Sequence, residues 1–161
     1  KPIVIYANNP LPEPEDEESQ KQLADYLASK GISPTVVIHR GHSYHLPLTL
    51  ERLNKKSRIV ILGSCGGYHN LSVVLDHSPD AHIISSKQVG TKAVNEPILQ
   101  AINNDLLEGN NIDWLPLWKG LTDKFQKDPV ALERFDDYVP PYKNLGMIFI
   151  KAYRKAMEEE E

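Results

Sequence analysis

Four short apolar runs punctuate the chain: Ile3-Val4-Ile5-Tyr6-Ala7, Thr35-Val36-Val37-Ile38, Arg58-Ile59-Val60-Ile61-Leu62 and Ala81-His82-Ile83-Ile84. Each is mostly β-branched and continuous rather than alternating, the pattern of strands covered on both faces. Segments of helical period lie between them. Gln22, Leu23, Tyr26 and Leu27 set an apolar stripe on a helix from about Pro14 to Lys30, which Gly31 ends. Leu48 to Leu53 is a short helix with Thr49 as its cap, and Asn70 to Asp76 is another, starting after a glycine pair and stopping near Pro79.

Beyond the fourth run the chain turns helical. Asn95-Glu96-Pro97 reads as cap and first turn of a helix reaching about Glu108 and closed by Gly109. Trp114 to Phe125, Pro129 to Tyr138 and Leu145 to Met157 follow, with Pro140-Pro141 as a stop between helices. Strand alternating with helix implies right-handed crossovers and a parallel sheet. The expected fold is therefore α/β: a three-layer sandwich with a mainly parallel sheet of at least four strands and a helical C-terminal part. No internal repeat or low-complexity linker divides residues 1–161, so a single domain is expected.

Composition narrows the function. The net charge of −4 supplies no concentrated basic face, so no nucleic-acid partner is expected. The acidic runs Glu13 to Glu18 and Glu158 to Glu161 read as solvated segments. A lone cysteine allows no internal disulfide, and no apolar stretch approaches the roughly 20 residues of a bilayer span. The sequence opens at Lys1 without a Met or a signal peptide, as in a domain excised from a longer chain, which leaves localisation open.

In parallel α/β sheets, ligands bind beyond the carboxyl ends of the strands. Two such ends carry unusual chemistry. The second run leads into His39-Arg40-Gly41-His42-Ser43-Tyr44-His45, and the third into Gly63-Ser64-Cys65-Gly66-Gly67-Tyr68. Backbone amides at a helix start favour a thiolate, the reactive form of cysteine. Flanking glycines admit close approach of a substrate backbone. A histidine on a neighbouring loop supplies an acid or base near neutral pH. Together these are the parts of a Cys-His acyl-transfer site. The competing reading of Cys65 is a small buried apolar residue.

Two other chemistries compete at these loops. His39, His42 and His45 are spaced by three, and with Cys65 they number four metal-type ligands. Residues three apart on a strand end point to opposite faces, however, and the loop holds no carboxylate. No metal and no cofactor are expected; the alternative role for His39 and His45 is to orient His42 or to bond loop carbonyls. Gly63 to Gly67 lacks both the Gly-Lys-Ser/Thr ending of a phosphate-binding loop and the Gly-x-Gly-x-x-Gly spacing, so a nucleotide signal is weak. Trp114 and Trp118 share a helix face and read as packing residues; Asp76, His77 and Asp80 fall at the wrong end of their helix. Tyr44 and Tyr68 flank the proposed site.

At these two loops the sequence resembles the cysteine peptidases of the caspase and gingipain type (clan CD), and it is also similar to uncharacterised bacterial proteins. That family ends one strand with a His in a His-Gly or Gly-His-Gly context and the next with the nucleophilic Cys. Val36-Val37-Ile38-His39-Arg40-Gly41-His42-Ser43 fits the first pattern, and Ile59-Val60-Ile61-Leu62-Gly63-Ser64-Cys65-Gly66-Gly67 the second. The resemblance covers roughly residues 35 to 90. It implies that Cys65 is the nucleophile and His42 the acid that protonates the leaving amine. The amides of Cys65 and of Ser43, where the family usually has Gly, would form the oxyanion hole. It points to Gly66 and to Ser85, Ser86, Lys87 and Gln88 as substrate-binding positions, with an ordinary solvated side chain as the alternative for Lys87. Strands two and three must be neighbours for this; a flavodoxin-like order of 2-1-3-4 would part their backbones by about 10 Å.

The expected function is thus a cysteine peptidase-like hydrolase with a peptide or protein substrate. The alternatives are a non-catalytic α/β binding module of a larger protein and a histidine-rich metal-binding domain.

Overall fold

Three of the four apolar runs become strands, and the fourth strand comes from elsewhere. A computed structural model describes residues 3–160. In chain order they form α1 (Glu15–Ser29), β1 (Val36–His39), a 3-10 turn (Ser43–His45) running into α2 (Leu46–Leu50), β2 (Ile59–Leu62), a 3-10 turn (Gly67–Asn70) running into α3 (Leu71–His77), and β3 (His82–Ser86). Then follow α4 (Lys92–Leu107), α5 (Trp114–Phe125), α6 (Pro129–Asp136), β4 (Tyr138–Val139), a 3-10 turn (Pro141–Lys143) and α7 (Leu145–Glu160). The sheet order is β1-β2-β3-β4, with β1 at one edge. β1, β2 and β3 run parallel, in register His39↔Leu62 and Leu62↔Ser85. β4 is antiparallel to β3, pairing Val139 with Ser85 and Tyr138 with Ser86. The fold is α/β, with a mixed, mostly parallel sheet.

Alternation along the strands explains why their sequences are apolar throughout. Ile61 and Ile84 pack with Val94, Ile98 and Ile102 of α4 and with the aromatic residues of α5 and α6. Val60, Leu62 and Ile83 point the other way, to Leu46, Leu50, Leu71, Val74, Leu75 and Met147 of α2, α3 and α7. Each such aliphatic side chain contributes roughly 1.5–3 kcal/mol when fully buried. Trp118 stacks on Phe135 at 4.8 Å, and Trp114 Nε1 donates to His82 Nδ1 at 2.6 Å, so both tryptophans are packing residues.

Three expectations are corrected. Ile3 to Ala7 is not a strand: it runs irregularly, with Ile5 74% exposed, and Tyr6 lies 6.0 Å from the Tyr26 ring of α1. β-Branched composition suits a pleated ribbon, but a strand exists only where a partner backbone pairs with it. The place between β1 and β2 is closed by their own ladder, which also rules out the 2-1-3-4 arrangement. Second, the helix expected from Asn95 begins earlier, capped at Thr91, and Pro97 lies inside it. The amides of Val94 and Asn95 bond to Thr91 O at 3.2 and 2.9 Å, and the Asn95 side chain is drawn sideways into the core instead of capping. Third, the helix expected to reach Tyr138 stops at Asp136, because Tyr138 and Val139 pair with β3.

Candidate functional site

The loops of interest leave the C-terminal ends of adjacent strands. The ladder extends one bond past β2, where Gly63 N–H donates to His39 O at 2.9 Å. His42 and Cys65 each stand three residues beyond the register pair His39↔Leu62. Neighbouring strands lie about 4.8 Å apart, so the two loops start side by side.

The cysteine turn is held by backbone and core contacts. Gly66 adopts φ +65°, a conformation costly for any residue with a Cβ, and its amide donates to Gln88 O at 2.8 Å. Gly90 approaches so closely that a Cβ there would sit 1.8 Å from Gly63 O. Gly63 O also accepts from buried Asn95 Nδ2 at 2.9 Å. Asn95 Oδ1 in turn accepts from the Tyr138 hydroxyl at 3.0 Å, and that hydroxyl accepts from Thr91 N–H at 3.1 Å. Burial pushes the Tyr138 hydroxyl above its ordinary pKa; negative charge at Cys65 adds to this, while the Thr91 amide and Arg40 oppose it. Cys65 itself is free and exposed.

The three histidines have separate environments. His39 is buried; its Nδ1 lies 2.9 Å from Thr49 Oγ1 and its Nε2 3.1 Å from His42 O. A carbonyl only accepts, so Nε2–H donates to it and Nδ1 accepts from the threonine hydroxyl. Burial holds its pKa below the usual histidine range, with the His42 carbonyl opposing. His45 is buried beneath Tyr44, with Nε2 3.3 Å from Glu13 Oε1 and 3.4 Å from Asp16 Oδ2. His42 is exposed and stacks on the Tyr44 ring at 5.2 Å and 8°. Among the described residues, no group of three His, Cys, Asp or Glu side chains converges as a metal site.

The remaining sequence-derived positions divide. Ser43 opens the 3-10 turn after His42. Its amide and that of Cys65 donate to no protein acceptor among the described residues. Ser85 and Ser86 are fully buried, and Ser86 Oγ accepts from Gln88 N–H at 3.2 Å. Lys87 and Gln88 are exposed, with Lys87 Nζ 5.6 Å from the centre of the Tyr68 ring. Arg40 pairs with Glu96 at 3.5 Å, and Lys92 with the same carboxylate at 3.6 Å.

No family model, curated protein or solved structure matches the chain. Its chemistry must therefore be read from these positions alone.

Two open depressions of about 420 and 470 Å³ lie elsewhere. One is between α5 and the turn at Tyr142, the other between α1 and Arg52, and neither includes Cys65 or His42. No helix among the described residues is long and apolar enough to cross a membrane. Gly90, Thr91 and Tyr138 escaped the sequence reading. Tyr138 lies 43 residues from the Asn95 it bonds, and nothing in its local pattern marks that partner.

Proposed function

We propose that the chain is a cysteine hydrolase acting on peptide bonds, with Cys65 as nucleophile and His42 as general acid and base. The observation that carries this reading is the register of β1 and β2: equal three-residue extensions from His39↔Leu62 bring a histidine and an exposed thiol to one end of two paired strands. The Cys65 thiolate adds to the scissile carbonyl carbon and forms a C–S bond. The oxyanion is met by the amides of Cys65 and Ser43. Collapse of the intermediate breaks the C–N bond, and the leaving amine takes a proton from the His42 imidazolium. Water, giving a proton to His42, adds to the thioester carbon; the C–S bond breaks, the acid product leaves, and the Cys65 thiolate and His42 imidazolium are restored. His39 supports this role by holding the His42 carbonyl. Lys87 and Gln88 are the substrate-facing positions of the following strand, while Ser85 and Ser86 stiffen it from inside. The two apolar clusters on opposite faces of the sheet favour a three-layer sandwich, the architecture that the resemblance to the caspase and gingipain type implies.

The test is the rate of Cys65 alkylation by iodoacetamide against pH, in the parent chain and in His42→Ala. A paired site gives alkylation that is already faster than that of free cysteine near neutral pH, with the pH profile displaced in His42→Ala. Peptide hydrolysis, once a substrate is found by screening, should then fall roughly 10²–10⁴-fold in His42→Ala. A folded chain whose thiol reacts like free cysteine, with or without His42, would leave a non-catalytic binding module as the reading. That second reading draws on one observation: among the described residues no hydrogen bond joins His42 to Cys65, and His42 instead stacks on Tyr44.

A further inference from the structure

The last helix presents a continuous apolar face to solvent. Leu145, Ile148, Phe149, Ala152, Tyr153, Ala156 and Met157 follow the spacing i, i+3, i+4, i+7, i+8, i+11, i+12, and all are exposed. Leu145 is 74% and Phe149 71% exposed, and the Phe149 and Tyr153 rings stack at 6.5 Å and 15°. The opposite side of α7 is already used. Met147 is buried against α3, Lys151 Nζ donates to Ala81 O at 3.0 Å, and Arg154 pairs with Asp76. A monomer rarely leaves so ordered an apolar stripe in water.

We propose that this face of α7 joins a second copy of the chain in an antiparallel, two-fold symmetric dimer. Three observations select that occupant. The stripe is self-complementary: a two-fold axis at Lys151 sets Leu145 against the partner's Met157 and Phe149 against the partner's Tyr153, with the small side chain of Ala152 near the crossing. The charges agree with the same register. The last turn of α7 carries Glu158 and Glu159 and no basic residue, and its first turn carries no acid. Carboxylates at a helix C-terminus oppose the macrodipole. An antiparallel partner brings its own helix N-terminus and exposed Lys143 to that end, with Lys143 opposite Glu159, whose contact within its own helix is the solvent-exposed 3.8 Å pair with Lys155. Finally, covering the five large side chains removes on the order of 600 Å² per copy, near the ~800 Å² per partner of a standard interface. The acidic end makes an anionic membrane surface the poorer occupant.

Light scattering across a concentration series tests the proposal. The 18.2 kDa chain should approach twice that mass at tens of micromolar. Phe149→Asp should hold it at the monomer mass with an unchanged circular dichroism spectrum. Lys143→Glu should weaken the dimer at least several-fold, and Lys143→Glu combined with Glu159→Lys should restore it. Should Phe149→Asp misfold, a cysteine pair decides. In a Cys65→Ser background, Leu145→Cys with Met157→Cys should oxidise between copies, because within one helix the two lie about 18 Å apart and cannot bond. A parent chain that stays monomeric at several hundred micromolar overturns the proposal. So does a dimer indifferent to Phe149→Asp, an absent cross-link, or a monomer that floats with phosphatidylcholine vesicles through this face.

Discussion

His39 is kept neutral by burial, and the two bonds it makes suit the neutral ring. The unfolded chain takes up that proton near pH 6.5, while the folded chain resists it until lower pH. Stability from this group is therefore complete above about pH 6.5 and is lost as pH falls towards the folded value, by no more than about 1.4 kcal/mol per pH unit. His82, whose Nδ1 accepts from Trp114, is shifted in the same direction by burial and by Lys151. Urea midpoints should fall between pH 7.5 and 5.5, and His39→Gln should flatten that dependence. At the Asn95–Tyr138 pair the outcome is set by orphaned partners. Asn95→Ala strands Gly63 O and the donor of the Tyr138 hydroxyl, Tyr138→Phe strands Asn95 Oδ1 and the Thr91 amide, and each should cost about 1–3 kcal/mol. A double-mutant cycle from urea denaturation should show the two losses to be less than additive.

Pro97 tests the same question for a whole helix. It sits in the sixth position of α4, where it cannot donate to Ala93 O. Pro97→Ala restores that donor and should raise the unfolding free energy by about 1 kcal/mol, part of the helical gain being offset by a freer unfolded chain. This helix also shows where sequence reading stops. Asn-Glu-Pro has the residues of a helix start, yet Asn95 is spent on Gly63 and Tyr138, partners remote in sequence. The buried strands were legible because covering on both faces demands unbroken β-branched runs, as in Ile59 to Leu62. Ile3 to Ala7 has the same composition and no paired neighbour, a fact about the rest of the sheet rather than about those five residues. β4 spans two residues, too few to make a pattern. At the site, His42 and Cys65 stood out by residue type and by the strands they follow. The buried state of Ser85 and Ser86 did not, since serines at a strand end look the same whether they face water or a core.

Across the whole molecule, three distant stretches close over the C-terminal ends of the central strands β2 and β3: the Gly63–Gly67 turn, the Gln88–Asn95 segment and Tyr138. The β1 flank is treated differently. β1 ends the sheet, so its outer row of amides and carbonyls has no strand beside it, and Ile38 is 41% exposed there. Colloidally, that flank is a template on which further chains can add, and nature usually guards such rims with lysine, proline or a bulge. Here the guard is Pro34 and the shortness of a four-residue strand, while the unpaired Ile3 to Ala7 run travels with every molecule as ready material for growth. On slow heating, turbidity should therefore appear before the cooperative loss of helix is complete. Ile38→Lys should delay its onset by several degrees while leaving the far-ultraviolet spectrum of the native chain unchanged.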